Sequence, residues 1–224
     1  MILEKSTDKS ELFPIKLISN TSIANGVFVL SFSRMFDFIP GQMIAIAFNS
    51  QENSRLYSIA SGNKSNTIDI LYNVKNDGFL TPRLSLLKSG DIIFISKPFG
   101  SFLASEEPAY WIAAGTGIAP FASMMRSGYH FNKTLIHGGR KLENFYFQDE
   151  FQKEMPGEYI RCCSSENSDL VYPGRLTKYL ENIESLALDH KYYLCGITEM
   201  VIETREILVK RGIPFEQIQS EIYF

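Results

Sequence analysis

Hydrophobic positions along the chain keep two different rhythms. From residue 15 to 96, short runs rich in β-branched and aromatic residues recur: IKLIS, VFVLSFS, MIAIAF, YSIAS, IDILYNV and DIIFIS. Turn residues separate them, among them Asn25-Gly26, Pro40-Gly41, Ser61-Gly62-Asn63, Asp77-Gly78 and Ser89-Gly90-Asp91. This alternation of apolar runs and turns predicts six strands. One helix-compatible stretch, TPRLSLLK at 81–88, interrupts them. Six closely spaced strands with one helix predict a small antiparallel six-stranded β-barrel, a form that removes exposed sheet edges.

After Pro98-Phe99-Gly100 the rhythm changes. YWIAA (110–114) precedes a helix opened by GTGIAPFASMMRS, and TLIHG (134–138) precedes a helical NFYFQDEFQKEM. YIRCCSS (159–165) precedes GRLTKYLEN, and KYYLCG (191–196) precedes TEMVIETREILVKRG. In that last helix Met200, Val201, Thr204, Ile207 and Leu208 fall on one face, and Gly212 and Pro214 end it. Strand–helix alternation predicts a parallel sheet covered on both faces, an α/β domain. The expected division is residues 1–104 for the barrel and 105–224 for the α/β domain.

Charge and composition narrow the function classes. The 224 residues carry a formal net charge of −3, which argues against a general nucleic-acid binder. Residues 1–104 hold ten positive and eight negative side chains, net +2, whereas 105–224 hold twelve and seventeen, net −5. The first half is thus the better match for an acidic partner. Cys162, Cys163 and Cys195 are odd in number and two are adjacent, so no disulfide framework is expected and a reducing, cytoplasmic setting fits. His130, His137 and His190 form no metal-ligand spacing, and no metal is expected. The first residues hold acids and no apolar core of a signal peptide, and no apolar run approaches the roughly 20 residues of a membrane-spanning helix.

Two local patterns carry candidate chemistry. Gly115-Thr116-Gly117-Ile118-Ala119-Pro120 follows a strand and opens a helix. A helix N-terminus offers unpaired N–H groups and partial positive charge to a phosphate, and Pro120 suits the first turn. The spacing is GxGxxP rather than the dinucleotide fingerprint GxGxxG, so a tight turn needing glycine only for geometry is the alternative. RLYSIAS, 55–61, puts a cation, a ring and two hydroxyls on one strand. Leu56, Ile59 and Ala60 suit a core, and Arg55 and Tyr57 share one face of a regular strand. A flavin dinucleotide would use all of them: Arg55 on the pyrophosphate, Tyr57 on the ring system, Ser58 near its reactive edge. The alternative is an ordinary barrel strand with a solvated Arg and a satisfied Tyr.

RLYSIAS resembles the RxYS motif of the ferredoxin–NADP reductase family, in its bacterial, ferredoxin- or flavodoxin-dependent branch. GTGIAP resembles that family's nucleotide pyrophosphate turn, YLCGITEM its Cys-Gly motif, and the terminal Glu221-Ile222-Tyr223-Phe224 its Glu-x-Tyr ending. The four motifs occur in family order, and DGFLTPRL (77–84) is similar to the family's second flavin segment. The resemblance implies FAD in the barrel and NADP(H) on the α/β domain. It places Arg55, Leu56, Tyr57, Ser58, Tyr72, Asn73, Val74, Phe79, Leu80 and Thr81 on the flavin, with Thr116 where the domains meet. Tyr223 would lie over the flavin face and Phe224 beyond it, against the adenine. Gly115, Thr116, Gly117, Gly139, Arg140, Ser164, Ser165, Arg175, Cys195 and Gly196 would hold the nicotinamide nucleotide. Ser58, Cys195, Glu221 and Tyr223 are the expected catalytic set. One arginine common in the family is replaced here by Ser165, while Arg140 and Arg175 are retained for a 2′-phosphate.

The implied activity is electron exchange between NADPH and a separate acidic carrier, ferredoxin or flavodoxin. Lys16, Lys75, Arg83 and Lys88, with Lys5 and Lys9, are candidate docking charges. Two alternatives share the same motifs: an NADH-linked reductase of an oxygenase or other redox chain, and a non-catalytic FAD-binding regulatory protein.

Overall fold

The structure is a computed structural model that describes residues 11–223; Lys5, Lys9 and Phe224 lie outside the described residues. The first half holds β1 (Phe13–Ala24), β2 (Val27–Ser33), β3 (Met43–Ala47), β4 (Arg55–Ser58), β5 (Thr67–Asn73), α1 (Thr81–Leu84) and β6 (Ile92–Ile95). These strands form one sheet in the order β4-β3-β6-β1-β2-β5, antiparallel at every pairing. The sheet curls until its edges meet: Ile59 bridges Ile70, and the Ala60 N–H donates to the Asp69 carbonyl at 2.8 Å. Leu30 and Phe32, Ile44 and Ile46, Ile68 and Ile70, and Ile93 and Ile95 are fully buried. Each pair is two residues apart, the spacing that puts strand side chains on one face. Each such burial stabilises the fold by about 2 kcal/mol. The expected helix at 81–88 is a single turn, ending where the Asn20 side-chain amide donates to the carbonyls of Leu84 (2.8 Å) and Leu87 (3.1 Å).

The second half holds β7 (Ala109–Ala114), α2 (Ala119–Arg126), β8 (Lys133–Gly139), α3 (Gln148–Glu154), β9 (Tyr159–Cys163), β10 (Tyr172–Pro173), α4 (Leu176–Asn182), β11 (Lys191–Ile197), α5 (Thr198–Lys210) and β12 (Ile218–Tyr223). Their order is β10-β9-β8-β7-β11-β12, parallel throughout. One face packs Trp111, Leu135 and Tyr193 against Phe121 and Phe151. The other packs Ile112, Ile136 and Leu194 against Leu180, Val201 and Leu208. α5 buries Met200, Val201, Thr204 and Leu208, the face expected from its periodicity. Two expectations shift. The helix expected from Asn144 begins at Gln148, because Phe147 is left-handed (φ 60°) and the Asn144 side chain closes a separate turn by accepting the Lys141 N–H at 3.0 Å. The two-residue β10 was not foreseen.

An apolar seam joins the two sheets. Phe102, on the connecting segment, packs edge-on to Phe121 (5.8 Å) and Tyr193 (5.3 Å) in a cluster that also holds Val27, Ala60 and Leu71. Polar bonds fasten α2 to the residues after β4. Ser123 Oγ donates to the Ser61 carbonyl at 2.7 Å, and Arg126 Nη1 to the Ala60 carbonyl at 2.8 Å. The Asn63 N–H donates to Ser127 Oγ at 2.9 Å, and Glu150 clamps the Arg126 guanidinium at 2.6 and 2.8 Å. Ser61 of RLYSIAS thus meets the seam through its carbonyl, while its hydroxyl accepts the Asp69 N–H at 3.1 Å within the barrel.

Candidate active site

A cleft of about 1370 Å³ opens between the two sheets. β4 supplies Arg55, Leu56, Tyr57 and Ser58 to it. Leu56 corrects its expected place in the core: it is 57% exposed and faces the cleft, while Ile59 and Ala60 are fully buried. The Arg55 guanidinium bonds only the adjacent Ser54 carbonyl (3.2 Å) and has no carboxylate partner among the described residues. Tyr57 packs edge-on to Tyr72 at 6.4 Å. Burial, reinforced by Tyr72, raises the Tyr57 phenol well above its ordinary range, so the ring stays neutral. Tyr72 donates to Asn20 Oδ1 at 3.0 Å, and burial pushes its pKa up to about 12.

Asn73, Phe79, Leu80 and Thr81 also line this side, and Thr81 Oγ1 accepts the Lys75 N–H at 2.9 Å, shaping the turn before α1. Val74, just past the end of β5, departs from the expected set and does not line the cleft; its side chain packs on the barrel core. Arg83, expected as a free docking charge, is paired with Glu52 at 2.9 Å and stacked over Phe48 at 3.9 Å. Lys16, Lys75 and Lys88 are exposed.

The last strand brings the C-terminal motif to β4. Tyr223 Oη donates to Ser58 Oγ at 2.7 Å, and Ser58 Oγ donates in turn to Glu221 Oε1. Cys195 Sγ lies 4.0 Å from the same carboxylate oxygen. β12 is parallel to β11 with Cys195 opposite Glu221, which is what aligns them. Glu221 Oε2 is buried without a partner among the described residues. Burial raises the Glu221 pKa to about 7 against the opposing pull of the Ser58 and Tyr223 hydroxyls. Burial also raises the Cys195 thiol, with Glu221 adding to it, so Cys195 is a neutral thiol and not a nucleophilic thiolate.

The other wall of the cleft belongs to the α/β half. Gly115, at φ +54° with open space around it, and Thr116 line it at the end of β7. The chain makes a short 3₁₀ turn over Gly115–Ile118 before α2, with Pro120 in the first turn of that helix. Gly117 is not a lining residue. It packs so closely under β11 that a Cβ there would sit 2.2 Å from the Cys195 carbonyl oxygen. Cys195 and Gly196 likewise form the floor behind the wall, and a Cβ on Gly196 would meet Met200 and Ala114. Gly139, Arg140, Ser164, Ser165 and Arg175 line the far end.

Several contributors carried no local signal. His137, one of three scattered histidines, lies buried under the glycine turn, with Nε2 3.3 Å from the Gly115 carbonyl and Nδ1 3.0 Å from Tyr159 Oη. A carbonyl only accepts, so Nε2 carries the proton and Tyr159 donates to Nδ1. Burial lowers the His137 pKa to about 4, keeping that tautomer neutral. Thr177, Asn144 and Tyr146 also line the cleft, with Gly139, Arg140 and Arg175. Thr177 sits two residues after Arg175 in the motif-like PGRLT and was the one within reach of sequence reasoning.

These residues fit a flat, phosphate-bearing cofactor on the barrel side. A free guanidinium, a ring edge-packed but open to the cleft, exposed Leu56 and Phe79, and an orphaned carboxylate oxygen all await contacts the protein does not itself supply. Among the described residues no group of acids, histidines and cysteines could hold a metal, and no helix is long and apolar enough to cross a membrane.

The profile of the oxidoreductase FAD-binding domain matches residues 14–103, and that of the oxidoreductase NAD-binding domain matches 111–206. The chain is 28% identical over 241 residues to a ferredoxin–NADP reductase of Azotobacter vinelandii, covering 94% of this chain and 88% of that protein. It is 27% identical over 210 residues to the toluate 1,2-dioxygenase electron transfer component of Pseudomonas putida, covering 89% of this chain but only 62% of that protein. Its fold is similar to that of a ferredoxin–NADP reductase from Neisseria gonorrhoeae crystallised with FAD and NADP, at TM-score 0.87, 20% identity, and 96% and 100% coverage. With an FAD-binding barrel and an NAD-binding α/β domain in this order around a shared cleft, the chain belongs to the ferredoxin–NADP reductase family of flavin oxidoreductases.

Proposed function

We propose that this protein passes electrons between NADPH and a separate one-electron carrier, an acidic ferredoxin or flavodoxin. Residues 1–104 would hold FAD and residues 105–224 the nucleotide. The observation that carries this reading is the meeting of Ser58, Glu221, Tyr223 and Cys195 at the seam, between an RLYS strand and a glycine turn. Bound FAD supplies the chemistry, taking a hydride and releasing its electrons singly to a carrier.

The side chains bind, orient and screen. Arg55 offers its planar fork to the pyrophosphate, and Tyr57 and Tyr223 offer ring faces. Tyr223 must swing aside for a nicotinamide to stack, and its bond to Ser58 holds it closed until then. The Tyr223–Ser58–Glu221 chain can carry a proton: Ser58 Oγ accepts from Tyr223 and donates to Glu221, whose pKa of about 7 lets it hold or release a proton near neutrality. The neutral Cys195 thiol fills the floor where the nicotinamide must settle. Arg140 and Arg175 are suited to a 2′-phosphate, which favours NADPH. Lys75 at the cleft and the net positive first half suit an acidic carrier in a cytoplasmic setting.

A second reading, an NADH-linked reductase of an oxygenase chain, is favoured by Ser165 in place of an arginine and by the likeness to the toluate dioxygenase component. Anaerobic titration of the purified flavoprotein with NADPH and NADH separates the two. Bleaching of the flavin band preferentially by NADPH, then transfer to added ferredoxin or flavodoxin, is expected. A clear NADH preference selects the second reading, and failure of both nucleotides to bleach the flavin leaves only a non-catalytic flavoprotein.

A further inference from the structure

The two arginines at the nucleotide end of the cleft differ in one respect. Arg140, at the end of the β8 wall, is exposed, and its guanidinium makes no hydrogen bond or ion pair among the described residues. Arg175, just before α4, is already engaged: its Nη2 lies 2.6 Å from Glu203 Oε2. Glu203 is on α5, the helix that follows the Cys195-Gly196 floor. Two further carboxylates stand close by. Glu166 follows Ser164-Ser165 and accepts the Leu142 N–H at 2.7 Å, and Glu143 lies 3.8 Å from Lys141 Nζ. Of these groups Arg140 and Arg175 line the cleft, and Glu203 is the carboxylate that pairs with one of them.

We propose that Glu203 is a specificity-determining residue that restrains the preference for phosphorylated nicotinamide nucleotides by holding Arg175. The proposal rests on the reading that Arg140 and Arg175 meet a 2′-phosphate. A nucleotide with a 2′-phosphate must share or displace Glu203 to reach Arg175, and brings two negative charges beside that carboxylate. A nucleotide without one meets neither cost. The effect is therefore a difference between ligands, which is what specificity consists of. The pair is half-open to water, with side-chain exposures of 61% and 39%, so its strength is that of a screened surface pair.

The test is calorimetric titration of the flavin-loaded protein with 2′,5′-ADP and 5′-AMP at low ionic strength, which reads binding without turnover. Glu203→Gln is expected to tighten 2′,5′-ADP by about threefold, the scale of one exposed ion pair, and to leave 5′-AMP unchanged. The ratio of kcat/KM for NADPH over NADH rises by the same factor. Unchanged 2′,5′-ADP binding, weaker binding (Glu203 then serving to aim Arg175), or equal tightening of both nucleotides overturns the proposal. Arg175→Ala separates the layers. If it weakens 2′,5′-ADP while Glu203→Gln does nothing, only the role of Glu203 falls. If Arg175→Ala also changes nothing, the 2′-phosphate reading falls with it.

Discussion

Replacing Glu221 by glutamine tests the electrostatics at the seam quantitatively. The carboxyl ordinarily titrates near 4.5, and burial raises it to about 7. Between those values the folded protein holds a proton that the unfolded chain has released. The carboxyl's stabilising contribution is therefore complete below pH 4.5 and is lost as pH rises through 7. A gap of about 2.5 pH units corresponds to about 3 kcal/mol. Glutamine mimics the protonated carboxyl at every pH, so the variant lacks this slope. Buried His137 works in the opposite direction, since its pKa falls from 6.5 to about 4 and its penalty grows as pH drops below 6.5. It is common to both proteins and cancels in their difference. Urea unfolding of the flavin-free protein and of Glu221→Gln at pH 5 and pH 8 is the assay. The variant is expected to gain about 2.5 kcal/mol relative to the parent between those two pH values, slightly less than the full gap because pH 5 lies above 4.5. Parallel pH profiles would show that Glu221 is solvated or ionised in the fold, and the proton-holding role would go with them.

Other expected outcomes follow from single contacts. Arg55→Ala removes the unpaired guanidinium and is expected to weaken FAD retention about tenfold or more, read as flavin absorbance after gel filtration; full yellow colour in the variant would contradict the assignment. Arg140→Ala is expected to raise the KM for NADPH about tenfold with little change for NADH, and equal effects would remove the 2′-phosphate role. Gly117→Ala forces a methyl to within 2.2 Å of the Cys195 carbonyl oxygen, so the β11 end must move; melting should show a loss of about 1–3 kcal/mol, and kcat should fall more than FAD affinity. An unaltered kcat would mean that the floor is not where the nicotinamide reacts.

Much of this arrangement was legible because it is written locally. RLYS, the glycine turn, Cys195-Gly196 and the Glu221–Tyr223 ending are each a few residues long, and strand or turn geometry alone presents them. Alternation of apolar residues, as in Leu30-x-Phe32 and Ile44-x-Ile46, was enough to indicate the curled sheet. What escaped depends on partners far away in sequence. Leu56 looks like a core residue until the cleft beside it is known, and Val74 looks like a cleft residue until its packing on the barrel core is seen. His137 acquires meaning only through Gly115 and Tyr159, each 22 residues distant. Arg175 reads as a free cation until α5 brings Glu203 to it, 28 residues on.

The fastening of α2 to the loop after β4 has an engineering corollary. The backbones of Ala60, Ser61 and Asn63 bond the side chains of Arg126, Ser123 and Ser127, and a Cβ on Gly62 would fall 2.7 Å from the Arg126 carbonyl oxygen. Chimeras that splice the front half of one homologue onto the back half of another will therefore fail at this joint unless residues 60–63 and α2 come from the same homologue, however well the crossover point between the sheets is chosen.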